Sequence, residues 1–70
     1  MKISVNGAER ETEEGSSVAG VVALVTGRAA GRPAGVAVAL NDQVVPRADW
    51  NTTIVREADR IEVLTAVQGG

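Results

Sequence analysis

The sequence predicts an α+β domain in which a mixed sheet of four to five strands packs against one main helix. Two observations predict this class. Polar and apolar residues alternate near both ends of the chain, over 2–6 and 60–67, with the period of a strand. Between them, over 18–25, valines recur at the spacing of one helical face. Since 70 residues can bury only one small core, we treat 1–70 as a single domain.

The first two strands are predicted to form a hairpin. Asn6-Gly7 follows the opening alternation and is a strong signal for a two-residue turn, because both residues tolerate positive φ. The return strand is predicted over 8–13. This segment and the residue after it carry four carboxylates: Glu9, Glu11, Glu13 and Glu14. We interpret them as a solvated strand edge and not as a metal site, because the alternation provides no loop that wraps a cation.

A single helix is predicted from an N-cap at Ser16-Ser17 to a C-cap at Gly27. Its apolar stripe consists of Val18, Val21, Val22 and Val25. Because the valines and Gly20 lower its intrinsic propensity, this helix should depend on packing against the sheet. The segment 28–35 that follows is rich in glycine and alanine, and we interpret it as a connector, since a phosphate-binding loop precedes its helix.

Three strands complete the predicted order ββαβββ, over 36–40, 43–45 and 60–67. The first of them is predicted to be central, and its face with Ala37 and Ala39 has room for close packing or for a partner. Pro46 ends the second strand or confines it to an edge. Trp50, the one aromatic residue, is predicted to be an apolar plug beside that strand, within a turn or short helix over 49–54.

The composition excludes several classes of function. The chain has no cysteine and no histidine, so neither a thiolate zinc site nor Ser-His-Asp or Cys-His catalysis is available to it. A net charge of -2 argues against binding to nucleic-acid phosphates. The longest apolar run, 18–25, is too short for a membrane span, and the N-terminus turns polar too early for a secretory signal. We therefore expect a cytoplasmic protein with no nucleic-acid or membrane partner.

The sequence ends at Gly69-Gly70, just after the predicted last strand. Terminal glycines also occur in frayed ends and linkers, so by themselves they predict little. In a chain that lacks the usual nucleophiles and bases, however, the bare C-terminal carboxylate is the one credible reactive group. The segment 65–70 is accordingly predicted to be a tail that presents this carboxylate.

Three blocks of the sequence carry a family resemblance: the opening MKISVNG, the segment VAVALN followed by VVPR and Trp50, and the close DRIEVLTAVQGG. In combination and spacing they resemble the ThiS family of sulfur carrier proteins from bacterial thiamin biosynthesis, over nearly the whole chain. The resemblance implies a β-grasp, ubiquitin-like fold. The family often has glycine before the DRIE block, where this chain has Ala58, and this departure favours another type of turn.

The resemblance also implies a chemistry. An ATP-dependent adenylyltransferase of the ThiF type would activate the Gly70 carboxylate as an acyl-adenylate, and sulfur would replace AMP to give a thiocarboxylate for thiazole synthase. The sulfur would come from a donor such as a cysteine desulfurase system. ATP and Mg²⁺ would belong to the activating partner. The chain itself would be a carrier and cosubstrate, not an enzyme, with no bound cofactor and no catalytic or metal-binding residue.

The predicted site residues lie at the C-terminal end. Gly70 is the residue that is modified, and Gly69 suits a partner channel too narrow for a Cβ. The predicted partner contacts are Leu64, Ala66, Val67 and Gln68. Three other functions remain open at this point. They are a molybdopterin-type sulfur carrier, whose tail usually reads closer to PPVSGG, a ubiquitin-like modifier attached through Gly70 to lysines, and a β-grasp interaction module with an inert tail.

Overall fold

The computed structural model describes residues 1–27 and 35–65, and its element order is the predicted ββαβββ. In chain order the elements are β1 (Lys2–Val5), β2 (Ala8–Glu11), α1 (Val18–Thr26), β3 (Val36–Leu40), β4 (Gln43–Val44), a 3-10 helix (Arg47–Asp49) and β5 (Arg60–Thr65). The predicted connector over 28–35 lies outside the described residues except for Gly35.

The strands form one five-stranded sheet in the order β2-β1-β5-β3-β4. β1 and β5 pair in parallel, whereas the other neighbours are antiparallel, so the sheet is mixed as predicted. The middle strand is β5, and β3 lies between it and β4. β3 is therefore an interior strand with a partner on each side, as predicted, although β5 is the middle strand of the five. Alternation along a strand indicates which side chains are buried, but it does not indicate the order in which the strands pair.

The first hairpin has the predicted turn and a shorter second strand. Asn6 and Gly7 have φ of 52° and 83°, as a two-residue type I′ turn requires, and Val5 pairs with Ala8. β2 ends at Glu11. The prediction that the strand continues to residue 13, with Glu13 on the same face as Glu9 and Glu11, was therefore wrong. Glu13 instead opens a turn, because the Ser16 N–H donates to its carbonyl over 3.2 Å.

Both predicted caps of α1 are confirmed. The Ser17 hydroxyl accepts from the Gly20 N–H over 3.1 Å, and Gly27 has a left-handed φ of 71° while its N–H donates to the Ala23 carbonyl. The predicted stripe faces the sheet, with Val25 partly buried and the other three valines buried. Burial of a valine stabilises the fold by about 1.5–3 kcal/mol, which compensates for its poor helix propensity.

The core lies between α1 and one face of the sheet. In the part of the chain that the structure describes, the buried residues are all apolar: Ile3, Val5, Val18, Ala19, Val21, Val22, Val38, Trp50, Val55, Ile61 and Val63. Trp50 plugs this core as predicted, since it is 3% exposed and its indole Nε1 donates to the Val45 carbonyl over 2.9 Å. Its own carbonyl accepts from the Ala19 N–H, which connects the segment after β4 to the start of α1.

Candidate functional site

The predicted site begins on the last strand. Of its residues, Leu64 is described and lies in β5, whereas Ala66, Val67, Gln68, Gly69 and Gly70 lie outside the described residues. Thr65, the first residue of the predicted tail, is the last residue of β5 and pairs with Val36 of β3. The tail therefore follows directly from the middle strand of the sheet.

The side chains of β5 alternate between two faces, as predicted. Ile61 and Val63 are buried against the core, and Glu62 and Leu64 are exposed on the opposite face of the sheet, which we call the outer face. This alternation follows from the two-residue period of a strand with one buried side. Leu64 is therefore available to a partner, with 68% of its surface exposed.

Small and aliphatic side chains of β3 and β4 lie on the same outer face as Leu64. Ala37 lies directly opposite it on β3, and Ala39 lies opposite Val44 of β4. Val44 is 77% exposed. We call Ala37, Ala39, Val44 and Leu64 the outer patch. The sequence indicated Leu64 and the room around the two alanines, but Val44 was missed because its place beside Ala39 depends on the hairpin register.

The outer face becomes charged towards the start of β5. The Arg60 guanidinium donates to an Asp42 carboxylate oxygen over 2.9 Å, and this hydrogen bond, together with the charge of Asp42, raises the pKa of Arg60. Glu62 lies opposite Ala39, between this ion pair and Leu64. Along β5 the outer face thus changes from charged to apolar in the direction of the tail.

Two asparagine side chains hold the backbone of β5, and neither was predicted. The Val63 N–H donates to Asn6 Oδ1 over 2.8 Å, and Asn6 Nδ2 donates to the Val63 carbonyl over 3.1 Å. At the other end of the strand, the Arg60 N–H donates to Asn41 Oδ1 over 2.9 Å. Both asparagines have positive φ in two-residue turns. The turn dipeptides Asn6-Gly7 and Asn41-Asp42 are the sequence signal that could have drawn attention to them.

Buried polar groups and clusters of possible metal ligands were sought in the part of the chain that the structure describes. Over 1–27 and 35–65, no buried residue is polar or charged, and no group of three or more aspartate or glutamate residues is placed to hold a metal ion. In the same residues no helix is long and apolar enough to cross a membrane. What the geometry offers is an exposed apolar patch on the strand that leads to the C-terminal glycines.

This mixed five-stranded sheet with one helix packed across a face defines a β-grasp protein. The ThiS family model matches residues 3–70, which is nearly the whole chain and includes both terminal glycines. The chain therefore belongs to the ThiS family.

Individual relatives agree with this assignment. The chain is 44% identical to the sulfur carrier protein ThiS of Escherichia coli (strain K12) over 39 residues, a region that spans 56% of this chain and 59% of that relative. The crystal structure of a thiamine biosynthesis protein (ThiS) from Geobacter metallireducens matches with a TM-score of 0.78 and 26% identity, over 100% of both chains. A solution structure of a thiamine biosynthesis protein from Geobacter metallireducens matches with a TM-score of 0.75 and 28% identity, over 100% of this chain and 88% of that one.

Proposed function

We propose that this chain is the sulfur carrier for the thiazole of thiamin, with the Gly70 carboxylate as the group that carries sulfur. The observation that carries this proposal is the family match, which extends through Gly69 and Gly70. The sequence supports it, because a chain without cysteine cannot carry sulfur as a cysteine persulfide, and a chain without histidine lacks the commonest general base.

The proposed chemistry has three steps, and partner proteins carry out all of them. A Gly70 carboxylate oxygen attacks the α-phosphorus of ATP, so that an acyl-adenylate forms and pyrophosphate leaves. A sulfur nucleophile from a persulfide donor then attacks the acyl carbon, AMP leaves with the electron pair of the broken C–O bond, and reductive cleavage of the S–S bond by a thiol leaves a thiocarboxylate. Activation is necessary because a free carboxylate resists nucleophiles and lacks a leaving group.

The activating enzyme, of the ThiF type, supplies ATP, Mg²⁺ and the acid-base groups. In this proposal the chain is a cosubstrate in the cytoplasm, and thiazole synthase accepts its sulfur. Because Thr65 is held in β5, the five residues from 66 to 70 provide the reach, about 17 Å when extended at roughly 3.3–3.6 Å each. That length is enough for the carboxylate to enter a buried site while the domain remains outside it.

The outer patch is the proposed docking surface for the activating enzyme. Leu64 and Val44 are exposed by 68% and 77%, and the two alanines between them leave the backbone of β3 accessible to a close partner. Exposed apolar side chains of this kind are favourable at interface cores, where they lose contact with water on binding. The predicted contacts Ala66, Val67 and Gln68 would extend the same surface towards the active site.

The first test is to incubate the protein with a ThiF-type enzyme, ATP and a sulfur donor and to weigh the intact product. Exchange of one oxygen for sulfur adds about 16 Da. We expect this product from the wild-type chain, a reduced yield from Gly70→Ala, whose Cβ would clash in a narrow channel, and none from a chain that lacks Gly69 and Gly70.

The deletion and substitution should leave the fold intact, which circular dichroism and thermal unfolding would check. Normal thiocarboxylate formation in the deletion protein would contradict the proposal. Higher-mass conjugates to lysines, in protein purified from its host, would favour the ubiquitin-like modifier instead, and sulfur transfer to a molybdopterin precursor would favour the other carrier branch.

A further inference from the structure

One side-chain contact holds β5 close to the point where the tail begins. The amide of Asn6 makes hydrogen bonds to both backbone groups of Val63, of 2.8 Å and 3.1 Å. The two residues are 57 positions apart in the sequence. A side-chain amide has the same donor and acceptor as a peptide unit, so Asn6 pairs with Val63 as a further residue of β1 would.

The Asn6 side chain can pair with Val63 in place of a backbone residue because β1 ends before it reaches Val63. The parallel ladder between β1 and β5 ends at Val5 and Ile61, and the chain reverses at Asn6-Gly7. On the other side of β5, pairing with β3 continues to Thr65. Within the described residues, Val63 is therefore the last position at which β5 is held from both sides.

We infer that Asn6 is a positioning residue for docking on the activating enzyme, because its hydrogen bonds to Val63 hold the outer patch in one place. This inference rests on the proposed function. Leu64 follows Val63 directly and is part of the outer patch. Without these two hydrogen bonds, the C-terminal end of β5 separates from β1 more often, and the fraction of molecules that can dock on the enzyme falls.

The kinetic consequence is specific. A lower competent fraction raises the apparent KM for the carrier in inverse proportion, because only the closed form binds. The kcat for adenylate formation remains unchanged, since the same complex reacts once the carrier has bound. A loss of overall stability, by contrast, leaves KM unchanged as long as nearly all of the protein is folded.

Asn41 provides a matched control at the opposite end of the same strand. Its φ of 50° and that of Asp42, 72°, define a two-residue turn like that of Asn6 and Gly7. Its side chain also makes two hydrogen bonds, one from the Arg60 N–H and one to an Asp59 carboxylate oxygen. The contact lies at the end of β5 away from the tail, is exposed, and holds one backbone group of the strand where Asn6 holds two.

The experiment compares Asn6→Gly with Asn41→Gly, because glycine preserves positive φ in both turns while it removes the side chain. Adenylate formation is measured with a ThiF-type enzyme and ATP at varied carrier concentrations. We expect Asn6→Gly to raise KM about tenfold, or about 1.4 kcal/mol, with kcat within about twofold. Asn41→Gly should leave both constants within about twofold of wild type, although the Tm values of the two variants fall by similar amounts.

Hydrogen exchange provides a readout that does not depend on activation. The Val63 amide should lose protection in Asn6→Gly, and the Arg60 amide in Asn41→Gly. If Asn6→Gly fails to fold, Asn6→Asp replaces it, because an aspartate keeps the turn but directs a carboxylate oxygen at the Val63 carbonyl. The same rise in KM is expected from that variant.

Two outcomes overturn the inference alone: equal KM values for the two glycine variants, or a wild-type KM in Asn6→Gly although its Val63 amide exchanges freely. A wild-type chain that no ThiF-type enzyme activates overturns the proposed function, and the role of Asn6 in activation with it.

Discussion

The two faces of β5 belong to the same six residues and have opposite properties. On the inner face, Ile61 and Val63 are 1% and 5% exposed and pack against the core beneath α1. On the outer face, Leu64 is 68% exposed beside Ala37 of β3. Within this strand, stability is thus assigned to Ile61 and Val63, and the proposed partner contact to Leu64.

This separation has a practical consequence for a domain of 70 residues. Domains of this size are stable by only about 4–10 kcal/mol, at roughly 0.05–0.15 kcal/mol per residue. A single core substitution can therefore unfold the protein and abolish activity without any direct role in it. Substitutions on the outer face avoid this ambiguity, because they leave the buried apolar contacts unchanged.

The largest effect is expected on the inner face, from Ile61→Ala. Removal of three buried carbons leaves a cavity at the centre of the core, and such changes cost about 2–5 kcal/mol. Urea unfolding should show that much loss in the free energy of unfolding. A loss below about 1 kcal/mol, at the low end for buried side chains, would contradict the burial of Ile61 in the core.

A functional effect without a stability effect is expected from Leu64→Ala on the outer face. The KM of the activating enzyme for the carrier should rise about tenfold, which corresponds to about 1.4 kcal/mol of lost binding. The free energy of unfolding should change by less than about 0.5 kcal/mol, because Leu64 is exposed in the free protein. Steady-state kinetics and urea unfolding of the same sample would give both values.

Leu24→Ala is the matched control for that prediction. Leu24 is also an exposed leucine, at 53%, but it lies on α1, on the opposite layer of the domain. Its substitution should leave KM within about twofold of wild type. An equal rise in KM for both variants would place the docking surface elsewhere or show that it extends around the domain.

The contrast between the two faces was predictable from the sequence because it depends only on local period. The alternation along 60–67 and the valine spacing of 18–25 separate buried from exposed side chains without any knowledge of neighbours. The caps at Ser17 and Gly27 were predictable for the same reason, since they act within one turn of α1.

The features that were not predicted are those that depend on residues far apart in sequence. Asn6 reaches Val63 only because β1 and β5 pair in parallel, and Val44 joins the outer patch only through the register of β3 and β4. The middle position of β5 likewise depends on the order of strands in the sheet. A single sequence carries no local signal for such pairings.

The smallest effect is expected in the turn before β5, from Ala58→Gly. Ala58 has a φ of 69° at the third position of the Arg56–Asp59 turn, where the Asp59 N–H donates to the Arg56 carbonyl. A positive φ at this position is typical of a type II turn and costs a residue with a Cβ about 1–2 kcal/mol. Glycine would relieve this strain. Its greater freedom in the unfolded chain offsets about 0.4–1 kcal/mol of the stability gained.

The net expectation for Ala58→Gly is a stabilisation of about 0.5–1 kcal/mol, or a rise in Tm of roughly 2–8 °C, with no change in KM. Ala48→Gly is the control, since Ala48 is an exposed alanine of the 3-10 helix without positive φ, where glycine should lower stability. Because the turn lies just before β5 and contains no residue of the outer patch, a change in KM on Ala58→Gly would mean that stability and partner binding are coupled along the strand. Equal Tm shifts in the two variants would mean that the backbone of Ala58 is not strained.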